Sequence, residues 1–506
     1  MNSRRVIGVS VLAIWICMVA WHVRREYYVP EAERLAAGAR MLAPGTHWFL
    51  IRMGDVPIGI ANSRLDTVPE GYVFNDEMTM DVPALGEIHR ATARTQIDLG
   101  QSLELQGFEF ALDSRIGQFQ VSGRTEGDSM LAVTMDAGSG PQESRMEIGD
   151  GLLLDAALSL RMAASGALTE GNEFTARIFD PSSMSERDVL ISVGPRETIV
   201  VTDSARLENG RWVANLLDTV PVFRVEQQFG GVKISNWIDE DGQIVRAESP
   251  LGFTIERMYY ELARQAWEGG QSAELAQGYG ALIEGTAISS NVDVTRVAEQ
   301  PQLRVRLGGV ELEGFDLEGG RQTLRGDTLI VTRENVTAAP YTLPYSGTDS
   351  LVTAELESTP LIQADDPRIL AQARRIADGA TDPVIVSQRL TDWVYGALEK
   401  DVTLSVPSAL QVLEARSGDC NEHTVLYVAL ARALGLPTRT AVGLVHINDS
   451  FYYHAWPEVW LGEWVAADPT LGQYPADASH LRFLIGGLAR QVELIRLIGR
   501  LELEVI

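Results

Sequence analysis

Apolar residues are distributed in three different ways along this chain. From Val6 to Val23 they form an uncharged run, with Trp15 and Trp21 inside it, between Arg4/Arg5 and Arg24/Arg25. A run of that length is enough to cross a bilayer as a helix. From residue 45 to about 260, apolar and polar positions alternate, as in WFLIRM (48–53), GYVFNDEMTMDV (71–82), SLELQGFEFALDS (102–114) and GQFQVSG (117–123), with Gly, Asn and Asp between the runs. A period of two predicts strands with one buried face, so this region reads as antiparallel β-sheet. After residue 365 the spacing lengthens to that of helices. In ADDPRILAQARRIADG, Asp365 or Asp366 can cap and Pro367 occupies the first turn; Val386, Leu390, Trp393, Val394 and Leu398 mark one face of a second helix; a third runs through PSALQVLEAR.

The remaining stretches connect these regimes. YYVPEAERLAAGARML reads as a short juxtamembrane helix, RMYYELARQAWEGGQSAEL (257–275) as another helix, and QLRVRLGGVELEGF and DTLIVTR as short strands. Asp241-Gly242 suits a tight hairpin turn; Asp239, Glu240 and Asp241 lack a following Glu at calcium-loop spacing. The Gly-Gly pairs lack a following Gly-Lys-Ser/Thr and are turns, not phosphate loops. TAAPYTLPYSGTDS (337–350) reads as a linker. The expected division is an anchor at 1–25, a β-rich domain at 26–285, a β-rich connection at 286–360 and a further domain at 361–506. Met18-Val19-Ala20 supplies one small residue before a signal-peptide cut, and Ile16 spoils a lipoprotein box at Cys17, which favours an uncleaved single-pass membrane anchor. The short positive tail suggests an exported, extracytoplasmic (periplasmic) remainder.

Composition changes the picture in two respects. A net charge of −27 over 506 residues leaves no basic patch for phosphates, which excludes nucleic acid as a partner. Of the two cysteines, Cys17 falls in the apolar run, so Cys420 is left without an intramolecular disulfide partner.

Cys420 sits in RSGDCNEHTVLYVALARALGLPTRT (416–440). Asp419 and Glu422 form a D-x-x-E capping pattern, which makes Cys420 the first residue of a helix with Leu426, Leu430, Ala433 and Leu434 on its apolar side and Gly435 as its stop. Unpaired N–H groups at a helix start favour a thiolate. On this ground alone a nucleophile, a packed thiol and a metal ligand all remain open. TRTAVGLVHI, FYYHAWPEVWL and WVAADPT then read as three strands joined by turns, with His454, Trp456, Glu458 and Trp460 on one face. A hairpin centred near Gly462 places Asp468 opposite Trp456 and diagonal to His454, within reach of a carboxylate–imidazole hydrogen bond. Nucleophile, base and orienter would then be present together.

These motifs, Gly418-Asp419-Cys420, His454-Ala455-Trp456-Pro457-Glu458-Val459 and Trp464-Val465-Ala466-Ala467-Asp468-Pro469-Thr470, resemble in type and order those of the transglutaminase-like superfamily, over about residues 365 to 490. The resemblance implies a C-terminal papain-like α+β domain in which Cys420 is nucleophile, His454 general base then acid, and Asp468 the orienter of the imidazole. With the anchor and the β-rich region, the expected fold class is α+β with an N-terminal transmembrane helix. Pro457 suggests an edge or bulge. His423 could join Cys420 and His454 on zinc, but a solvated helix histidine is commoner; His446 and His480 read as loop or core residues. Trp456 is expected to pack beside the imidazole, and Asn421 or Gln411 are candidates for a second oxyanion donor. The implied function is a membrane-anchored cysteine enzyme cleaving or transferring amide bonds of a protein or peptide, cell-wall peptide included, without cofactor or metal. Protein cross-linking, a non-catalytic binding or scaffold module, and a metal-dependent hydrolase are the alternatives.

Overall fold

The computed structural model describes residue 18 and, from residue 30 to 506, all residues except 85–86, 115–116, 128, 137–139, 150–151, 182, 251, 270–286, 293–299, 337, 402–405, 407 and 448. The molecule is mostly β, which corrects the expected α+β class. Fifteen strands between Gly45 and Arg257 hydrogen-bond into one sheet. The first eight run as an antiparallel meander from the centre to one edge, and the other seven return from the far edge to the centre. The halves meet where strand Gly45–Met53 pairs with Phe253–Arg257, Ile51 opposite Ile255. Alternation supplies the inner face: in strand Gly117–Glu126, Phe119 and Val121 are buried while Gln118 and Gln120 are exposed.

A helix that the alternating pattern conceals, Asp155–Ser165, lies between the halves. Ala157, Leu160 and Ala164 pack with Phe108, Phe119 and Leu131 of one half, and Leu158 and Met162 with Ile178, Val189 and Val225 of the other. The short helix Glu31–Ala39 buries Leu35 and Ala39 in the first of these cores. Among the described residues no helix is long and apolar enough to cross a membrane, and residues 6–23 lie outside them apart from Met18. The expected single-pass anchor, the membrane partnership and the periplasmic placement built on it therefore find no support in the structure.

The C-terminal region is organised around helix Cys420–Ala433. Helices Pro367–Ala377, Pro383–Ala397 and Ala409–Ala415 pack around it, and from Glu422 to Ala431 it is buried on nearly every side rather than along one stripe. It rests on an antiparallel sheet ordered Ala287–Ser289, Ser450–Trp460, Thr438–Ile447, Leu481–Ile485, with Trp464–Ala466 also paired to Ser450–Trp460. Strands Gln302–Gly308, Gln322–Arg325, Thr328–Thr332 and Glu502–Val505 form a small second sheet. Leu303, Val305, Leu329 and Val331 of that sheet share a core with Val442, Phe451, Leu481 and Phe483. The segment around Cys420 is thus clamped between helices and sheet.

Candidate active site

Local sequence fixes where Cys420 stands. The Asp419 carboxylate accepts from the Asn421 N–H at 2.8 Å, and Glu422 folds back to accept from the Asp419 N–H at 2.9 Å, closing a capping box. Gly418 makes room for that glutamate: a Cβ at this position would lie 2.3 Å from Glu422 Cβ. Cys420 is consequently the first helical residue, half-buried, with its helix running away into the core.

The partner strand is set by register. Strand Ser450–Trp460 pairs with Thr438–Ile447 so that His454 faces Gly443, where a Cβ would meet the Leu481 carbonyl oxygen at 2.0 Å. Trp456 is fully buried and lies nearly parallel to the His454 ring, centroids 6.1 Å apart. The following hairpin pairs Glu458 with Ala466 and Trp460 with Trp464, a register centred on Gly462. Pro457 stays in register opposite Thr440 with no bulge. Glu458 points to arginines: Arg439 donates to it at 2.6 Å and Arg482 at 3.0 Å.

Past the strand end, Asp468 anchors the Asp-Pro-Thr turn. Its Oδ1 accepts from the N–H groups of Thr470 and Leu471 at 2.8 and 2.9 Å, leaving Oδ2 to face His454 Nε2 at 2.8 Å. The Cys420 side chain is close enough to act on the same ring. With Nε2 committed to Asp468, Nδ1 is the nitrogen left for the sulfur. Burial alone would lower the His454 pKa, but the Asp468 carboxylate outweighs it and the Cys420 side chain adds to the effect, so the imidazole is raised to about 9. Burial would raise the Asp468 pKa; the two histidines, His454 foremost, instead hold it well below the usual carboxylate range.

The second of those histidines is His480, which the pattern assigns to loop or core. The turn after Asp468 folds back through an Asp468–Gln473 bridge and carries His480 against the same carboxylate oxygen, Nε2 to Asp468 Oδ2 at 2.9 Å, with Nδ1 3.2 Å from Asp477 Oδ1. Its only sequence signal is Asp477 three positions earlier. His454, Asp468 and His480 offer donor atoms within 4.8 Å of one another and so could face a cation, but here those atoms pair with each other at hydrogen-bond length. His423 is not brought into that group. It is buried, its Nδ1–H donates to the Asp419 carbonyl at 2.7 Å, and burial lowers its pKa. His446 packs edge-on against Phe451, centroids 4.6 Å apart. Asn421 Oδ1 accepts from Gln491 at 2.9 Å, and Gln411 lies in the preceding helix. Beside the Cys420 helix start, a cavity of about 350 Å³ is bounded by Asn421, Val425, Arg439 and Leu361, with Met184 reaching in from a turn of the large sheet, just before the strand that begins at Ser185.

Residues 371–469 match the family model of the transglutaminase-like superfamily, so this part of the chain is a transglutaminase-like domain, of a superfamily associated with cysteine-type peptidases and transferases. The match contains Cys420, His454 and Asp468 and stops short of His480. No curated protein matches the chain. Among solved structures, a candidate cysteine protease from Cytophaga hutchinsonii is similar at 15% identity over 40% of this chain and 83% of its own, TM-score 0.28. A β-barrel-like protein of a domain of unknown function from Brucella abortus aligns at 12% identity over 43% and 95%, TM-score 0.31. A candidate protease from Parabacteroides distasonis aligns at 11% identity over 70% and 64%, TM-score 0.18. At such scores the likenesses are loose.

Proposed function

We propose that the transglutaminase-like domain hydrolyses amide bonds of a protein or peptide substrate through a thioester on Cys420. One observation carries this reading: His454 hydrogen-bonds Asp468 Oδ2 through Nε2 at 2.8 Å while the same ring meets the Cys420 side chain at a helix start. In that arrangement the Cys420 sulfur attacks the carbonyl carbon, and His454 Nδ1 gives its proton to the departing nitrogen as the C–N bond breaks. A water molecule, losing a proton to His454, then cleaves the thioester to a carboxylic acid and frees the sulfur. Asp468 keeps Nε2 protonated and the ring oriented throughout.

Hydrolysis is preferred over transfer to an amine because Cys420 is only half-buried, so water competes for the thioester. The test is to incubate the protein with a glutamine-containing peptide and a labelled primary amine, following ammonia release, peptide cleavage and amine incorporation. Hydrolytic product that vanishes in Cys420→Ala is the expected result. Incorporation outpacing hydrolysis at millimolar amine would assign cross-linking instead. No reaction of any kind, with Cys420 no more reactive than a free thiol, would leave a non-catalytic binding module.

A further inference from the structure

His480 is fully buried, and each of its ring nitrogens faces a carboxylate: Nε2 meets Asp468 Oδ2 at 2.9 Å and Nδ1 meets Asp477 Oδ1 at 3.2 Å. A neutral imidazole has one N–H and one lone pair, so one of these contacts would set lone pair against carboxylate in a buried site. Two N–H donors satisfy both. The carboxylates are themselves fixed: Asp477 Oδ1 also accepts from the Ser479 N–H and hydroxyl at 2.8 and 2.6 Å, and Oδ2 from Gln473 at 3.0 Å. Neither can turn away.

We propose that His480 is a positioning residue, held as an imidazolium between Asp477 and Asp468, which pins the carboxylate that orients His454 and sets how tightly His454 holds its proton. The inference rests on the Cys420–His454 reading above. Asp477, His480 and Asp468 together carry one negative charge instead of two, so His454 faces a single net anion across the shared Oδ2. Burial would lower the His480 pKa, but Asp468 and Asp477 outweigh it and raise it. Among the described residues, the rings packed against His480 are His454 at 5.9 Å and the edge-on Trp456 at 5.2 Å, centroid to centroid. Beyond them, Arg321 donates to the Ala476 and Asp477 carbonyls and lies 3.5 Å from Glu334, and Arg482 is paired with Glu458.

The full chain labelled with ¹⁵N-histidine tests the charge directly, the His480 signals being those absent from His480→Gln. Imidazolium shifts for both nitrogens at pH 7.5 are expected; a neutral tautomer would overturn the proposal. The second arm is the pH profile of Cys420 alkylation by iodoacetamide. His480→Gln removes a positive charge and should move both limbs of the profile to higher pH; a displacement of one pH unit would lower the rate at pH 6 about tenfold. Asp477→Asn removes a negative charge, keeps an acceptor for Nδ1, and should move both limbs the other way. A residue that only fills space would move neither, or both variants alike, and that outcome defeats the proposal. If His480→Gln does not fold, the alkylation profile of Asp477→Asn still decides. Wild-type and His454→Ala proteins alkylating identically would defeat the Cys420–His454 reading, whereas the nitrogen shifts judge His480 independently of it.

Discussion

The large sheet and the transglutaminase-like domain bury polar groups in different ways. Among the described residues of the sheet the buried interior is mostly apolar, with Phe119, Leu131 and Ile97 typical and a few uncharged polar groups such as Gln227 and Asn236, and charged groups such as Asp81 lie apart, met there by Arg90 and Trp267. The C-terminal region instead packs Glu458, Asp468, His454, His480, Arg321 and Arg482 into its interior, each against another charge. Removing an ion from water costs several kcal/mol unless its partners are well placed. Such groups therefore constrain their own geometry: each is held by at least one charged partner, and His454 inherits a fixed orientation. An apolar interior tolerates exchange of shapes; a charged one does not.

The comparison is tested first by breaking one member of each interior. Glu458→Gln leaves Arg439 and Arg482 buried against a neutral amide and should cost about 3–5 kcal/mol in urea unfolding. Leu131→Ala, at a fully buried site of the sheet, should cost about 3 kcal/mol through lost contacts and a cavity. The difference is expected in the chemistry. Cys420 alkylation in Leu131→Ala should stay within about twofold of wild type under native conditions, since the core that holds Leu131 includes none of the charged cluster and the effect is one of packing. A large loss of reactivity there would mean that sheet and site act as one unit, and the contrast would fail.

How much of this was legible in the sequence depends on the range of the interaction. The capping box at Asp419 and the hairpin centred on Gly462 are read correctly because each is decided within a few residues, by a three-residue return and by a turn. The joining of fifteen strands into one sheet is not, because Gly45–Met53 and Phe253–Arg257 meet across the whole region and no local pattern states which strands pair. Helix Asp155–Ser165 is hidden for a related reason: packed on two sides, it carries no single apolar stripe to distinguish it from neighbouring strands. His480 escapes because its partners depend on a chain reversal after Asp468 that periodicity does not encode. The apolar run at 6–23 is clear as composition, yet it lies outside the described residues apart from Met18, and no described helix replaces it.

A smaller effect separates the regions by pH. His454 is raised from 6.5 to about 9 in the folded protein, so its ion pair with Asp468 contributes fully below pH 6.5 and is lost as pH rises through about 9. Stability of the wild type relative to His454→Gln should therefore fall between pH 6.5 and 9, by roughly 2 kcal/mol in unfolding experiments. Leu131→Ala should show the wild-type slope. A flat difference between wild type and His454→Gln over that interval would mean that the pair is not ionic.

The smallest effect sharpens the contrast inside the C-terminal region, where two helix caps differ only in their surroundings. Asp366 caps helix Pro367–Ala377 near solvent; slight burial raises its pKa, but Arg368 outweighs this and lowers it. Asp419 caps the Cys420 helix in a buried position beside Glu422, and burial first, then Glu422, raises its pKa. A lowered folded pKa contributes stability present above the unfolded value, about pH 4, and lost in acid; a raised one is a contribution lost as pH rises past the unfolded value. Replacing either aspartate with asparagine keeps the capping acceptor and removes the charge, so the two variants should differ in sign at pH 8. Asp366→Asn should lose up to about 1 kcal/mol, through the Arg368 interaction and the helix end. Asp419→Asn should be neutral or gain roughly a few tenths of a kcal/mol, because it relieves a carboxylate held against another in a buried site. Equal losses in urea unfolding would mean that the negative charge is favourable at both caps, and that the charge beside Cys420 is not held against its preference.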